Sequence, residues 1–533
     1  MNFSVRRSNN VFVLSVNVSN DLCCSNDGAL LSVAPVLTNA RGHADDMLRA
    51  RETQIRANIA QAKFEEALQN SSTILGELDI DVSKIDPAAI QSELIKTQAL
   101  LNPGDITGQS LLQSLLSKPT STDLRQIGRI RILFCSTRAA YAVKPALMLF
   151  IILRMSQLVF LDNEITAESS YALGNLSLAL TGLGMHDASY LSSKLALALL
   201  DRFDHKYSNM VTFLLNTSIL QYRQPMQACL ESLRQAYRGF VSIGDRDFAR
   251  ISINQISQIS IMAPERGKVL DDVEREIRQV LTEFSTQYEG SKSLLIMSVM
   301  YLQMLLNLKE ESPPAGIDDD PTILTGSAMD QEEYLKTCEE KGLRDYFRYF
   351  YGCRLYLAYL FRRHSRAEET VKACAKLAQS SKFCASTEIV VETFYMGLIA
   401  ADAIQRRKGA ESSVADIERW QKIADDSLNS LTTWANEGSE WNFLHKVALL
   451  RAEIAVANGD YDTAISSYQG AITGAGKSSY VNEEALSCER AGLFYFAQGE
   501  MEEGKLCLSR AVSLYRAWGA RRKALDVLQL MGS

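Results

Sequence analysis

"NGDYDTAISSYQGAI", residues 458–472, and "QGEMEEGKLCLSRAV", residues 498–512, are two copies of one pattern set 40 residues apart. Gly459 answers to Gly499, Ala464 to Gly504, Tyr468 to Leu508 and Ala471 to Ala511. A small residue at 464 or 504 lets two helices approach closely, and the large residue four positions on, one helical turn away, fills the gap beside it. Each copy follows an apolar run at helical spacing, "LLRAEIAVA" (449–457) and "ALSCERAGLFYFA" (485–497). The unit is therefore helix, glycine turn, helix.

The order of turn, small residue, large apolar residue and Ala resembles the tetratricopeptide signature. Weaker copies occur at 61–75, with Phe64, Ala67 and Ile74, at 184–199 and at 365–377, and "IGDRDFARISINQ" (243–255) is another turn between helices. Almost no stretch alternates like a strand, and the chain has only 10 Pro in 533 residues, so few helices would be broken. These observations predict an all-α fold, a tetratricopeptide-like helical-hairpin superhelix (α-solenoid). Residues 1–40, rich in Ser and Asn, form a disordered or poorly defined leader; the apolar run Val11 to Val16 is too short for a signal peptide. Helical repeats follow over 41–309. An acidic, proline-containing loop at 310–331, read as solvated linker, separates them from the C-terminal repeats at 332–533. The apolar stretch at 142–161 is broken by Arg154, too short to span a bilayer, and is read as a core helix.

Composition excludes several classes. Apolar residues make up 47% of the chain, enough for a large core, and the net charge is -7. No run of Lys and Arg interleaved with aromatics is present, so nucleic acid is not an expected partner. None of the ten Cys forms a CxxC pair and the five His do not cluster with them, which argues against a zinc site or a disulfide framework. Reduced, mostly buried thiols in a cytoplasmic protein are the expectation. "AITGAGKSS" (471–479) fits a loose phosphate-loop pattern. A helix rather than a strand precedes it, however, so Gly474 and Gly476 are read as ending that helix, Lys477 and Ser478 as solvated linker, and Asn482 as capping the next helix. No zincin, nucleophile-elbow or kinase catalytic motif is found. His364 reads as an exposed basic residue at a turn and His445 as a hydrogen-bonded structural residue. Met residues within 295–304 are read as core. No catalytic residue, metal or cofactor is expected.

The C-terminal segment "VNEEALSCERAGLFYFAQGEMEEGKLCLSRAVSLYRAWGARRKALDVL" (481–528) resembles the end of the helical region in hybrid signalling kinases. Those proteins join a Ser/Thr-kinase-like domain, an AAA-type ATPase, a helical region, a GAF domain and a sensor histidine kinase. Asn482 to Leu486, and Tyr515, Trp518, Gly519, Ala520 and Lys523, match the pattern, as does "NFLHKVALLRAE" (442–453). The segments 131–147 and 193–203 are similar to their counterparts. The resemblance spans about residues 45–528. The family's catalytic domains have no counterpart here, so none of its catalytic residues is carried over. The resemblance implies a regulatory helical array within a signal-transduction system, either standing alone or cut from a larger multidomain kinase or ATPase gene.

A non-catalytic interaction scaffold is the leading expectation, with a protein or peptide partner that includes kinases and ATPases as candidates. Its concave face would be built from the first helix of each hairpin. Trp434, Trp441, Lys446, Arg451 and Glu489 are the expected contact residues. Trp518 is assigned to packing, and Arg521, Arg522 and Lys523 to a solvated face. The alternative is a small-ligand sensing arm.

Overall fold

In a computed structural model of the chain, the described residues are 5–8, 11–14, 44–61, 63–82, 85–102, 108–287, 296–309, 319–340, 344–380, 387–408 and 413–532. Two short strands, β1 (Val5–Ser8) and β2 (Val11–Leu14), pair antiparallel near the start; the rest of the expected leader lies outside the described residues. Among the described residues every other regular element is a helix. The fold is all-α, built of tetratricopeptide-like helical hairpins.

The chain forms two compact units. The first comprises Met1–Thr181, Asp187–Leu215 and Gln235–Ala249; the second comprises Gly182–His186, Asn216–Arg234 and Arg250–Ser533. The division does not fall at 310–331, where a boundary was expected. In the first unit the helices Leu124–Val143 and Pro145–Leu161 pack on each other, and the helices Ala44–Ala60, Phe64–Glu77 and Pro87–Leu101 pack against that pair. Pro145 starts its helix at a position where the missing N–H costs nothing. Ile151, Leu153, Met155 and Val159 of that helix are buried. No helix among the described residues is long and apolar enough to cross a membrane.

In the second unit the C-terminal hairpins follow one another: α1 (Arg344–Leu360), α2 (His364–Ser380), α3 (Thr387–Lys408), α4 (Val414–Glu437), α5 (Glu440–Asn458), α6 (Tyr461–Lys477), α7 (Val481–Ala497), α8 (Met501–Trp518) and α9 (Arg521–Gln529). Each packs on the next, and α1 on α3 and α3 on α5 pack as well, which is how first helices line up in a tandem stack. Ala464, Tyr468, Ala471, Leu508 and Ala511 are buried, as the repeat predicts. A Cβ at Gly504 would come within 2.2 Å of the Phe496 ring and 3.1 Å of Gly492 O, so the hydrogen side chain sets the α7–α8 separation. The turns within α5–α6 and α7–α8 place Gly459 (φ 76°) and Gly499 (φ 83°) in the left-handed region, where glycine is unstrained.

Three local expectations are corrected. Helix α6 runs through Gly474 and Gly476 to Lys477, and the turn is made by Ser479 at φ 63°. Gly474 instead permits a close approach, since a Cβ there would lie 3.2 Å from the Cβ of His445. Asn482 does not cap α7: it is buried, and its Nδ2 donates to Met262 O at 3.1 Å. The part of the 310–331 loop that is described is not solvated linker. Thr322 and Leu324 are fully buried, and Asn307 Nδ2 donates to Pro321 O (3.0 Å) and Ile323 O (2.7 Å), pinning it to the helix Ile296–Lys309.

Candidate interaction site

The first helices α5 and α7 carry charges that sequence reasoning assigned to an open face. The structure buries most of them in pairs. Lys446 is 5% exposed and Glu489 1% exposed. The physical reason is pairing across long sequence separations, which amphipathic periodicity does not report. Lys446 Nζ donates to Glu483 Oε2 (2.7 Å) and lies 4.3 Å from the Tyr480 ring. His445 Nε2 is 2.5 Å from the same carboxylate oxygen. Burial pushes the Lys446 and His445 pKa values down, Lys446 adding to the effect on His445. Burial alone would raise Glu483; Lys446 and His445 together outweigh it and hold it below the usual carboxylate range. Glu483 is therefore the charged anchor and His445 a neutral, structural histidine.

Two further clusters follow along α7. Arg490 grips Glu453 with two bonds, 2.9 Å from Nε and 2.6 Å from Nη2, and Tyr468 Oη donates to Glu453 Oε1 at 2.7 Å. Glu489 accepts from Tyr515 Oη (2.9 Å), Lys523 Nζ (2.8 Å) and Arg362. Lys523 is fully buried and also bonds Asp526 (2.9 Å) and Leu360 O, which corrects the solvated face expected for it. Arg521 is exposed but ion-paired with Asp271 at 3.1 Å, and Arg522 pairs with Asp319. Ion pairs this deep make weak evidence for net stability; breaking one leaves an uncompensated buried charge.

The repeat contains a feature that sequence reasoning missed. Asn442, Asn482 and Arg522 recur at intervals of 40 residues, and each holds upstream backbone. Asn442 Nδ2 donates to Gln221 O (2.8 Å) and Gln224 O (2.7 Å), and its Oδ1 accepts from Met226 N (3.0 Å) and Tyr480 Oη (2.8 Å). Asn482 takes Met262 O, and Arg522 Nη2 takes Asp319 O at 3.0 Å. The recurrence of Asn in "WNFLHK" and "VNEEAL" was the available signal.

What stays accessible among the expected residues lies on one face of α5. Trp441 is 37% exposed and Leu444 47%, and Arg451 is exposed. Positions 441, 444, 448 and 451 share one helix face. Trp434 is half-buried, its ring centroid 5.8 Å from Tyr222 and 5.7 Å from Phe443, so it braces α4 against α5. Among the described residues no group of three or more His, Cys, Asp or Glu could hold a metal ion. Seven of the described cysteines are free thiols, buried except for half-buried Cys507.

No family model matches the chain, and no curated protein matches it. Among solved structures, a human IFIT1 dimer with PPP-AAAA aligns over 84% of this chain and 96% of its own at 10% identity, with a TM-score of 0.30. A circular tandem repeat protein with novel repeat topology aligns over 95% of this chain and 93% of its own at 12% identity, with a TM-score of 0.15.

Proposed function

We propose that the chain is a non-catalytic, cytoplasmic interaction module whose partner docks on the exposed face of α5. The observation that carries this reading is the exposed Trp441–Leu444–Arg451 stripe on a helix whose Lys446 and Glu453 are consumed by internal pairs. Aromatic and Arg side chains exposed together are the residue types that dominate interface energies. Trp434, behind the stripe, fixes the seat of α5 rather than touching the partner. The resemblance of residues 481–528 to the helical region of hybrid sensor kinases supports a signal-transduction setting, with a kinase or ATPase as the partner class. A nucleotide-hydrolysing role for "AITGAGKSS" is disfavoured because the backbone N–H groups of that segment belong to α6.

The test is co-purification of the full chain from its own cells with quantitative mass spectrometry, repeated with a Trp441→Ala/Arg451→Ala double variant. The reading expects a stoichiometric kinase or ATPase partner, reduced at least tenfold by the variant with helical circular dichroism unchanged. Equal recovery with both proteins would remove the α5 face from consideration.

A further inference from the structure

The turn after α1 differs from those of two later hairpins. Where α5–α6 and α7–α8 use glycine in the left-handed region, the α1–α2 turn places Arg362 there, at φ 54°. A side chain in that conformation is strained. The arrangement holds the Arg362 guanidinium against Glu489 and, at 2.6 Å, Asp526. It also brings Arg362 to the wall of a cavity of about 10 Å³, room for one water-sized atom. Tyr359, His364, Asp402, Ile399 and Arg490 share that wall, drawn from α1, α2, α3 and α7.

The polar groups around the cavity are unevenly spent. Tyr359 is 7% exposed, and its hydroxyl is buried with no hydrogen-bond partner. Arg490 commits Nε and Nη2 to Glu453, leaving Nη1. Arg362 commits both terminal nitrogens to Glu489 and Asp526, leaving Nε. Asp402 accepts from His364 Nδ1 (2.8 Å) and Arg406 Nε (3.0 Å). Burial would raise its pKa, but these partners and Arg490 bring it down to about 2, so it is an ionised acceptor and His364 Nδ1 carries the shared proton. The unspent groups at the cavity are thus a hydroxyl and guanidinium N–H donors. The carboxylates nearby are already paired: Asp402 with Arg406, Glu453 with Arg490, and Glu489 and Asp526 with Lys523 and Arg362 between them. A buried hydroxyl without a partner beside unspent donors calls for an acceptor atom in the space between them.

We propose that this cavity is an oxyanion subsite. One oxygen of a carboxylate or phosphate group enters past half-exposed His364 and accepts from Tyr359 Oη–H and from the unspent guanidinium N–H groups of Arg490 and Arg362. The subsite does not depend on partner docking at α5, since Trp441 and Arg451 contribute nothing to it.

The experiment compares the full wild-type chain with Tyr359→Phe, which removes the hydroxyl and keeps the ring that faces Arg490. Thermal midpoints are followed during titration with inorganic phosphate, acetate and an acetylated penta-glutamate peptide at constant ionic strength. The expected result is a saturable rise for wild type and at least a tenfold weaker apparent Kd for Tyr359→Phe. Tighter binding of the peptide than of acetate assigns the oxyanion to a partner's side chain; equal binding assigns it to a free small anion. An identical response in the variant places the anion elsewhere and overturns the proposal, as does the absence of any response, which leaves water as the occupant. Should the variant's ligand-free midpoint shift, equilibrium dialysis of radiolabelled phosphate below the melting range applies the same tenfold criterion.

Discussion

Asn442→Ala is the sharpest probe of how the second unit is held together. The side chain is fully buried and serves four groups: Gln221 O, Gln224 O, Met226 N and Tyr480 Oη, at 2.7–3.0 Å. Three of the four are backbone atoms of a segment that leaves helix at Gln224, in extended conformation, and therefore has no ladder of its own to satisfy them. Removing the amide strands all four. At about 1 kcal/mol net for each lost bond, before any penalty for groups left dry, the cost is about 4 kcal/mol. Asn482→Ala is the matched control. It stands at the equivalent repeat position but grips one upstream carbonyl, Met262 O at 3.1 Å, so it should cost about 1 kcal/mol. Urea unfolding followed by tryptophan fluorescence reports the right unit, because Trp420, Trp434, Trp441 and Trp518 all belong to the second one. Trp434 lies beside Tyr222 and so senses the clamped segment directly. Hydrogen exchange at the Met226 amide should accelerate in Asn442→Ala and not in Asn482→Ala. If the two variants lose equal stability, the clamp is not what holds residues 221–226, and the reasoning fails.

Three other outcomes follow from buried or strained groups. Glu388 is 2% exposed beside Glu392, and burial first, then the Glu392 charge, raises its pKa well above the usual carboxylate value. A folded-state pKa above the unfolded one gives a contribution that is full below the unfolded value and lost as pH rises through the folded value. Glu388→Gln should therefore gain on wild type as pH is raised from 5 to 8 in urea titrations, and parallel pH profiles would show that Glu388 is already ionised. Ser479→Gly should stabilise by about 1 kcal/mol by relieving the left-handed turn. Arg362→Gly relieves the same strain but strips Glu489 and Asp526 of a cation, so calorimetry should find it about 2 kcal/mol less stable; a gain would mean the pair contributes nothing. Magnesium ATP at millimolar concentration should move the melting temperature of wild type and of Lys477→Ala by the same amount, because a ligand stabilises only through the groups that bind it and Lys477 is not one of them.

The repeat was readable because its packing logic is local. A small residue, a large one a turn later and a glycine between helices are separated by a few positions, and the 40-residue shift exposes them together. The buried charges were not readable in that way. Lys523 meets Glu489 across 34 residues and Arg362 meets it across 127, so each looks like an ordinary solvated cation or anion within its own helix. Periodicity sorts side chains by face, and it calls a charged residue exposed unless its partner is known. The phosphate-loop match failed for a related reason. Its pattern specifies residue types, whereas phosphate binding needs backbone N–H groups left free, and α6 engages them in its own helical bonds.

That distinction bears on what an array of this kind can bind. Charges on first helices are the natural place to look for a peptide-binding face, yet here Lys446, Glu453, Glu483, Glu489 and Arg490 are all committed to one another or to tyrosines of the following helices. Asn442 and Asn482 are committed to the chain's own backbone. A side chain already satisfied in the folded state gives a partner nothing unless the partner replaces what it displaces, and replacement carries the cost of the bonds broken. Binding should therefore concentrate on groups the fold leaves unspent. Among the described residues the Trp441–Leu444–Arg451 face and the Tyr359 hydroxyl are such groups, and variants at the buried first-helix charges should change stability before they change recognition.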